Sequence, residues 1–142
     1  MPHNDFRAFA YGIVYRHGAL DWLLVRDPGR AWRLPGREIT TSPTATIREA
    51  VHADTGRHPA RTPELRAHQW VQDPHGRPRA VYLFFLGCHD PAPTTTGPEL
   101  TWKHHLVVPH YLPRTLSSLV ITLQHRDLIT GIDTVVYQEA TA

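Results

Sequence analysis

The chain has 142 residues, a net charge of +2 and a single cysteine, Cys88. This length supports one domain with a hydrophobic core, whereas the weak, scattered charge does not predict a nucleic-acid surface and the lone cysteine excludes an intrachain disulfide or a cysteine-based zinc site. No apolar run approaches the roughly 20 residues of a membrane span and the N-terminus lacks the order of a secretion signal, so we expect a cytoplasmic protein without a membrane partner.

The first third of the chain has the pattern of strands joined by turns. Residues 6–16 are rich in β-branched and aromatic side chains and predict a strand, and residues 21–26 predict its hairpin partner. Residues 32–34 form a short extended segment, which Pro35 and Gly36 close with a turn.

A helix is predicted to begin near Pro43 and to run through Asp54. Ser42 can accept an N–H bond as the N-cap, proline is tolerated at the first helical position, and Gly56 supplies the stop. At helical spacing, the buried stripe consists of Ile47, Ala50 and Val51, and a neighbouring face carries Glu49, His52 and Ala53.

More strands and a second helix follow. Residues 61–71 end in a strand, and residues 79–88 predict a strand buried on both faces because they are almost continuously apolar. Residues 99–103 are short and extended, and residues 113–128 predict an amphipathic helix. Residues 131–138 are a last strand or an ordered tail.

This order of elements predicts an α/β fold. Strands, a helix, further strands and a second helix suggest a mixed sheet between two helices, an α/β/α sandwich, formed by residues 1–142 as one domain. Residues 89–98 form a polar loop that could cover a site.

The segment from residue 32 to residue 56 resembles the Nudix box. That motif reads Gly, five residues, Glu, seven residues, then Arg-Glu-apolar-x-Glu-Glu-x-Gly, and here Trp-x-Leu-Pro-Gly opens the segment and Asp-Thr-Gly ends it. The segments Glu99-Leu100-x-Trp102 and Leu112-Pro113 are similar to the segment that follows the sheet in this family. The resemblance implies a Nudix-like sandwich over roughly residues 6–128 and a diphosphate-linked substrate. It also implies Mg²⁺ or Mn²⁺, held by box carboxylates, that activates the attacking water.

The box helix aligns with the family pattern in two ways. With Arg48-Glu49 as the Arg-Glu pair, Glu49 keeps the first metal position and His52-Ala53 replaces the Glu-Glu pair. This alignment keeps more of the helix, and we favour it slightly.

With Gly56 as the anchor, Ala53-Asp54 replaces Glu-Glu and Glu49-Ala50 replaces Arg-Glu. Neither alignment yields the carboxylate cluster of the family, so we expect a weakened metal site or one that binds no metal. An imidazole ligand would also favour Zn, Ni or Fe over Mg.

The resemblance and the residue types together nominate the site. The predicted catalytic residues and metal ligands are the same three side chains, Glu49, His52 and Asp54. The predicted substrate-binding residues are Trp32, Arg33, Glu38, Trp102 and His104, since tryptophan can stack on a ring and histidine can serve as a general acid or base.

Three functions are consistent with this sequence. The first is an atypical Nudix hydrolase that cleaves a nucleoside diphosphate linked to another group. The second is a Nudix fold reused for metal-independent chemistry in a small-molecule biosynthetic pathway, and the third is a ligand-binding module without catalysis. The expected partner is a small molecule, and a homodimer is suggested by the resemblance alone.

Overall fold

The computed structural model describes residues 7–16, 20–72, 75–89, 97–130 and 136–138. The elements are β1 (Arg7–Arg16), β2 (Asp21–Arg26), β3 (Gly36–Glu38), α1 (Pro43–Thr55), β4 (Glu64–Gln72), β5 (Pro78–Gly87), β6 (Glu99–His104), a 3₁₀ helix (Val108–Tyr111), α2 (Arg114–Thr130) and β7 (Val136–Gln138).

The strands form one mixed sheet. Its order is β6-β2-β1-β5-β4-β7, and β3 pairs with β1 beside this path. The pairs β1–β5 and β4–β7 are parallel, and the others are antiparallel. The predicted α/β class and mixed sheet are therefore confirmed.

Each face of the sheet packs against one helix, because strand side chains alternate between the faces. On β1, Ile13 belongs to the cluster that includes α2, whereas Ala10 and Val14 belong to the cluster that includes α1. On β5, Leu83 and Phe84 divide in the same way. The prediction that this strand is buried on both faces is confirmed.

Helix α1 has the predicted caps. The Ser42 hydroxyl accepts a hydrogen bond from the Ala45 N–H at 3.1 Å, and Gly56 ends the helix in the left-handed conformation with φ of 72°. The buried face contains the predicted stripe and also three polar residues, Thr46, Asp54 and Thr55.

The structure adds two elements that the sequence did not predict, β3 and the 3₁₀ helix. Of the predicted loop 89–98, residues 90–96 lie outside the described residues, as do residues 131–135 of the predicted last strand or tail. In the described ranges, neither helix is long and apolar enough to cross a membrane.

Two glycines lie where neighbouring parts of the chain approach closely, Gly36 against β1 and Gly12 against β5 and α1. A Cβ on Gly36 would overlap the Ala10 carbonyl oxygen and lie 2.6 Å from Tyr11 Cδ1, so it would meet backbone and an anchored ring. A Cβ on Gly12 would lie 2.8 Å from Leu86 Cδ1 and 3.1 Å from Ile47 Cδ1, which are ends of flexible side chains. Gly36 therefore has less room for adjustment than Gly12.

We expect Gly36→Ala to lower the free energy of unfolding by about 1–3 kcal/mol, the range for overpacking. Gly12→Ala should cost less, because the Leu86 and Ile47 termini can move. Urea unfolding of the two variants checks this order, and an equal or larger cost for Gly12→Ala would contradict it.

Candidate functional site

Arg33 lies between two carboxylates. It sits in the extended segment after β2, where its backbone exchanges two hydrogen bonds of 2.8 Å with Val25. Its Nη1 donates to Asp54 Oδ2 at 2.9 Å and its Nη2 donates to Asp54 Oδ1 at 3.3 Å. Nε and Nη2 also donate to Asp27 Oδ2, at 3.4 and 3.3 Å. The hydrogen bond with Asp54 is the main reason that the pKa of Arg33 is raised, and burial acts in the opposite direction.

Asp54 connects the last turn of α1 to the Leu-Pro-Gly loop. Its side chain is 10% exposed. Besides the two bonds from Arg33, Oδ2 accepts the Gly36 N–H at 3.2 Å. Both oxygens of the carboxylate thus accept hydrogen bonds from the protein, and the carboxylate fixes the loop against the helix.

The residues present do not fit the divalent metal that the resemblance implies. Both oxygens of Asp54 are occupied by donors, Glu49 is exposed on α1, and His52 is exposed and stacks on His58 with ring centroids 4.2 Å apart. Within the described ranges, no three His, Cys, Asp or Glu side chains form a group that could hold a metal ion. The predicted set of Glu49, His52 and Asp54 is therefore not brought together, because Asp54 lies on the buried face of α1 whereas Glu49 and His52 lie on its exposed face.

The contacts of Asp54 help to choose between the two alignments of α1 with the Nudix pattern. Asp54 is the α1 carboxylate that reaches the loop, and Gly56 is the left-handed residue that ends the helix. These two positions support the alignment anchored on Gly56 over the one that the sequence favoured. Ala53, which is exposed, then stands where the family has the first glutamate of its pair.

A cavity of about 300 Å³ lies on the α2 face of the sheet. Most of its wall is apolar, and Arg33 joins it to the ion pair described above. Burial raises the pKa of the Tyr11 hydroxyl in this wall, and the Arg33 charge opposes that rise. The lining residues are Phe9, Tyr11, Arg33, Val71, Gln72, Arg79, Val81, Pro113, Thr115 and Leu116.

Of the five predicted substrate-binding residues, Arg33 lines this cavity. Trp32 packs against the α2-side core beneath Arg26, whose guanidinium carbon is 4.3 Å from the ring centroid. Trp102 packs against the α1-side core, with the Arg16 guanidinium 4.2 Å from its ring centroid.

The other two predicted residues are exposed or engaged elsewhere. The Glu38 carboxylate accepts two hydrogen bonds from Arg7, at 2.6 and 2.8 Å. His104 is exposed, and its Nδ1 accepts the Leu106 N–H at 3.3 Å. Neither residue belongs to the cavity wall, and a substrate contact by either one stays a prediction.

Sequence reasoning missed most of the cavity wall, including Phe9, Tyr11, Val71, Arg79 and Val81. The available signal was the period-two alternation within β1 and β5, which puts Phe9, Tyr11, Arg79 and Val81 on one face. The register that pairs Phe9 with Val81 joins distant parts of the chain, and the pattern of neither strand predicts it.

Cys88 is half-buried, and burial raises the pKa of its thiol to about 11. The thiol is therefore protonated at neutral pH, which makes it a poor nucleophile. Cys88 therefore behaves as a small, packed side chain.

Replacing Asp54 should separate a structural role from a metal-binding one. We expect Asp54→Ala to lower the free energy of unfolding by about 2 kcal/mol, because it leaves Arg33 and the Gly36 N–H without their acceptor. Full burial would raise this cost, but Arg33 is 27% exposed. The matched control on the same helix is Glu49→Ala, which should change stability by less than about 0.5 kcal/mol. Equal effects in urea unfolding would contradict the structural role of Asp54.

Two histidines should make stability depend on pH. Burial lowers the pKa of His68, and burial together with His104 lowers that of His105. The unfolded chain then binds protons that the native state resists, so stability is complete above pH ~6.5 and falls as the pH drops toward the lowered native values.

Urea unfolding at several pH values checks this sign, and His68→Gln should remove part of the loss of stability in acid. An identical pH dependence in the variant would show that His68 has the same pKa in both states.

No family model and no curated protein matches this sequence significantly. The fold nevertheless resembles solved structures closely. The MutT protein from Methanosarcina mazei Go1 has a TM-score of 0.70 at 14% identity, covering 89% of this chain and 99% of that one. The E. coli ORF135 protein has a TM-score of 0.72 at 16% identity, covering 90% and 95%.

A NUDIX hydrolase from Nitrosomonas europaea has a TM-score of 0.67 at 16% identity, covering 84% of this chain and 88% of that one. At such identities the likeness concerns the fold. The chain has the α/β fold of the Nudix hydrolases, and α1 carries an arginine-bound aspartate in that fold.

Proposed function

We propose that this protein binds a small molecule in the cavity and works without the divalent-metal cluster of the Nudix hydrolases. The observation that carries the proposal is the Arg33–Asp54 ion pair at the cavity wall. The pair engages the Asp54 carboxylate, which points from α1 toward the Leu-Pro-Gly loop. It also holds the Arg33 guanidinium in place at the cavity wall.

The cavity wall restricts the chemistry of the ligand. A volume of about 300 Å³ is at the lower end of small-molecule sites. Val71, Val81 and Leu116 provide apolar contacts, and Phe9 and Tyr11 add aromatic rings. The ligand should therefore have a compact apolar or ring-shaped body. Polar groups of the wall would orient it, and these belong to Gln72, Arg79 and Thr115.

The charge around Arg33 disfavours a phosphate at that point. Asp27 and Asp54 contribute two negative charges against one positive charge, so the cluster has a net charge of −1. The five N–H groups of Arg33 are directed to Asp27, Asp54 and the Leu34 carbonyl oxygen. A phosphate beside Arg33 would find neither excess positive charge nor uncommitted donors there.

The Tyr11 hydroxyl in the cavity wall keeps its proton at neutral pH, since burial raises its pKa. Its hydroxyl can therefore donate a hydrogen bond to a ligand acceptor. Metal-independent chemistry and binding without turnover both fit this arrangement. We infer that the ligand is oriented by the protein's own fixed donors.

Glu49 favours a second candidate function, hydrolysis of a nucleoside diphosphate linked to another group. Its side chain is exposed on α1, and no ion pair engages it within the described part of the chain. In the alignment that the sequence favoured, this carboxylate would be the remaining metal ligand of the weakened site.

One set of measurements separates the two candidates. Thermal unfolding is followed with Mg²⁺ or Mn²⁺, with a nucleoside diphosphate sugar such as UDP-glucose, and with a library of compact ring-containing molecules. We expect no stabilisation by either metal, and stabilisation without metal by members of the library. Leu116→Trp should abolish that stabilisation by filling the cavity, whereas Ile121→Trp, on an exposed position of α2, should preserve it.

Metal-dependent release of a nucleoside monophosphate, lost in Glu49→Gln, would establish the second candidate and overturn the first. A library ligand whose binding survives Leu116→Trp would also contradict the cavity as the site.

A further inference from the structure

Strand β6 lies at one end of the sheet. It pairs with β2 over six residues, from Glu99 opposite Arg26 to His104 opposite Asp21. On its other side, no strand of the described residues is hydrogen-bonded to it. Such an edge presents backbone N–H and C=O groups that can pair with another strand.

Exposed apolar side chains are concentrated around this edge. The described residues contain six exposed large hydrophobic side chains, and five of them lie on β6, in the segment that follows it, or at Leu20. Leu20 is adjacent because its carbonyl oxygen accepts the His105 N–H at 2.7 Å. The five are Leu20, Leu100, Leu106, Val107 and Tyr111, and the sixth is Ile121 on α2. Such a concentration of exposed apolar side chains beside an open edge is typical of an interaction surface.

The sequence of β6 is complementary to itself in charge. It reads Glu-Leu-Thr-Trp-Lys-His, with its acid at one end and its bases at the other. Two parallel copies would put like charges together, whereas two antiparallel copies would put acid against base. We propose that two copies of this chain pair antiparallel through β6 and continue the sheet across a two-fold axis.

The two-fold axis restricts the register of this pair. In an antiparallel pair related by an axis perpendicular to the sheet, opposite residues must lie on the same face. Glu99, Thr101 and Lys103 share the α2 face, because Lys103 pairs with Trp22 of the α2-side core. An axis through Thr101 therefore puts each Glu99 opposite Lys103 of the other copy, and Leu100 opposite Trp102.

This register brings together Glu99, which is exposed, and Lys103, which is half-buried with its Nζ 5.2 Å from the centroid of the Tyr111 ring. Glu99 binds Arg26 through Oε2 at 2.6 Å, and Oε1 faces no hydrogen-bond donor within the described residues. Glu99 is also 57% exposed in its side chain. Lys103 discourages unselective pairing of the edge, because an unmatched lysine disfavours strand addition. The same lysine favours pairing with a second copy, whose Glu99 would lie opposite it.

Sedimentation velocity over a concentration series tests the proposal. We expect a monomer–dimer equilibrium for the natural chain. Glu99→Lys and Lys103→Glu should each raise the dissociation constant about tenfold or more, because each places like charges in opposition. The doubly substituted chain should recover most of the affinity, although its contact with Arg26 is still lost. A natural chain that stays monomeric throughout the series overturns the proposal.

Apolar substitutions provide a matched pair. Leu106→Glu should weaken the dimer, whereas Ile121→Glu changes a similarly exposed residue away from β6 and should leave it intact. Thermal unfolding of each variant confirms that the fold is retained. A dimer that resists Leu106→Glu and both charge reversals uses a different surface and overturns the proposal.

A cysteine at the axis reports the register directly. Thr101→Cys puts two thiols opposite each other, within the distance that a disulfide spans. Mild oxidation should yield a covalent dimer of Thr101→Cys but not of Ile121→Cys. A monomeric product from Thr101→Cys contradicts the axis through Thr101.

Discussion

The ion pair between Arg33 and Asp54 is the constraint on which the site depends. It joins a segment paired to β2 with the last turn of α1, two parts of the chain separated by the Leu-Pro-Gly loop. Asp54 also binds the Gly36 N–H, and Gly36 pairs with Tyr11 on β1. One buried carboxylate thereby connects three elements and positions a wall of the cavity.

In this pair, the negative charge of Asp54 on α1 is balanced by an arginine side chain rather than by a metal ion. A divalent ion is exchangeable and brings two positive charges, whereas a guanidinium is tethered and brings one. Its planar donors are matched to carboxylates, so it holds geometry well but offers no open coordination position. The chain has the fold of the Nudix hydrolases, and Asp54 on α1 is bound by an arginine side chain of the protein itself.

The sequence predicted the helix ends and most strands, which depend on neighbouring residues, but it did not predict which distant segments pair. Ser42 and Gly56 act on their nearest neighbours, so the ends of α1 followed from residue types. Strands β1, β2 and β5 followed from alternating or continuous apolar patterns. Strand β3 is too short to have such a pattern, and it forms because Arg37 and its neighbours pair with β1, from which β2 separates them in the chain.

The site shows the same division. Asp54 was identified as important because the resemblance and its residue type placed it among the candidate metal ligands. Its partner was not identified, since Arg33 lies on a different element and one arginine among many gives no local signal. The cavity was missed for the same reason, because its wall draws on three strands and α2.

The parallel pairing of β1 with β5 has a consequence for how the chain reaches this structure. Arg7 pairs with Arg79 and Tyr15 with Gly87, so the central pair of the sheet joins strands that β2, β3, α1 and β4 separate in the chain. Ordering such a long loop is costly before its contacts form, and parallel pairs at this separation fold slowly. The hairpin of β1 and β2 can form early. We expect the rate-limiting barrier to lie at the meeting of β1 and β5, in the middle of the finished molecule.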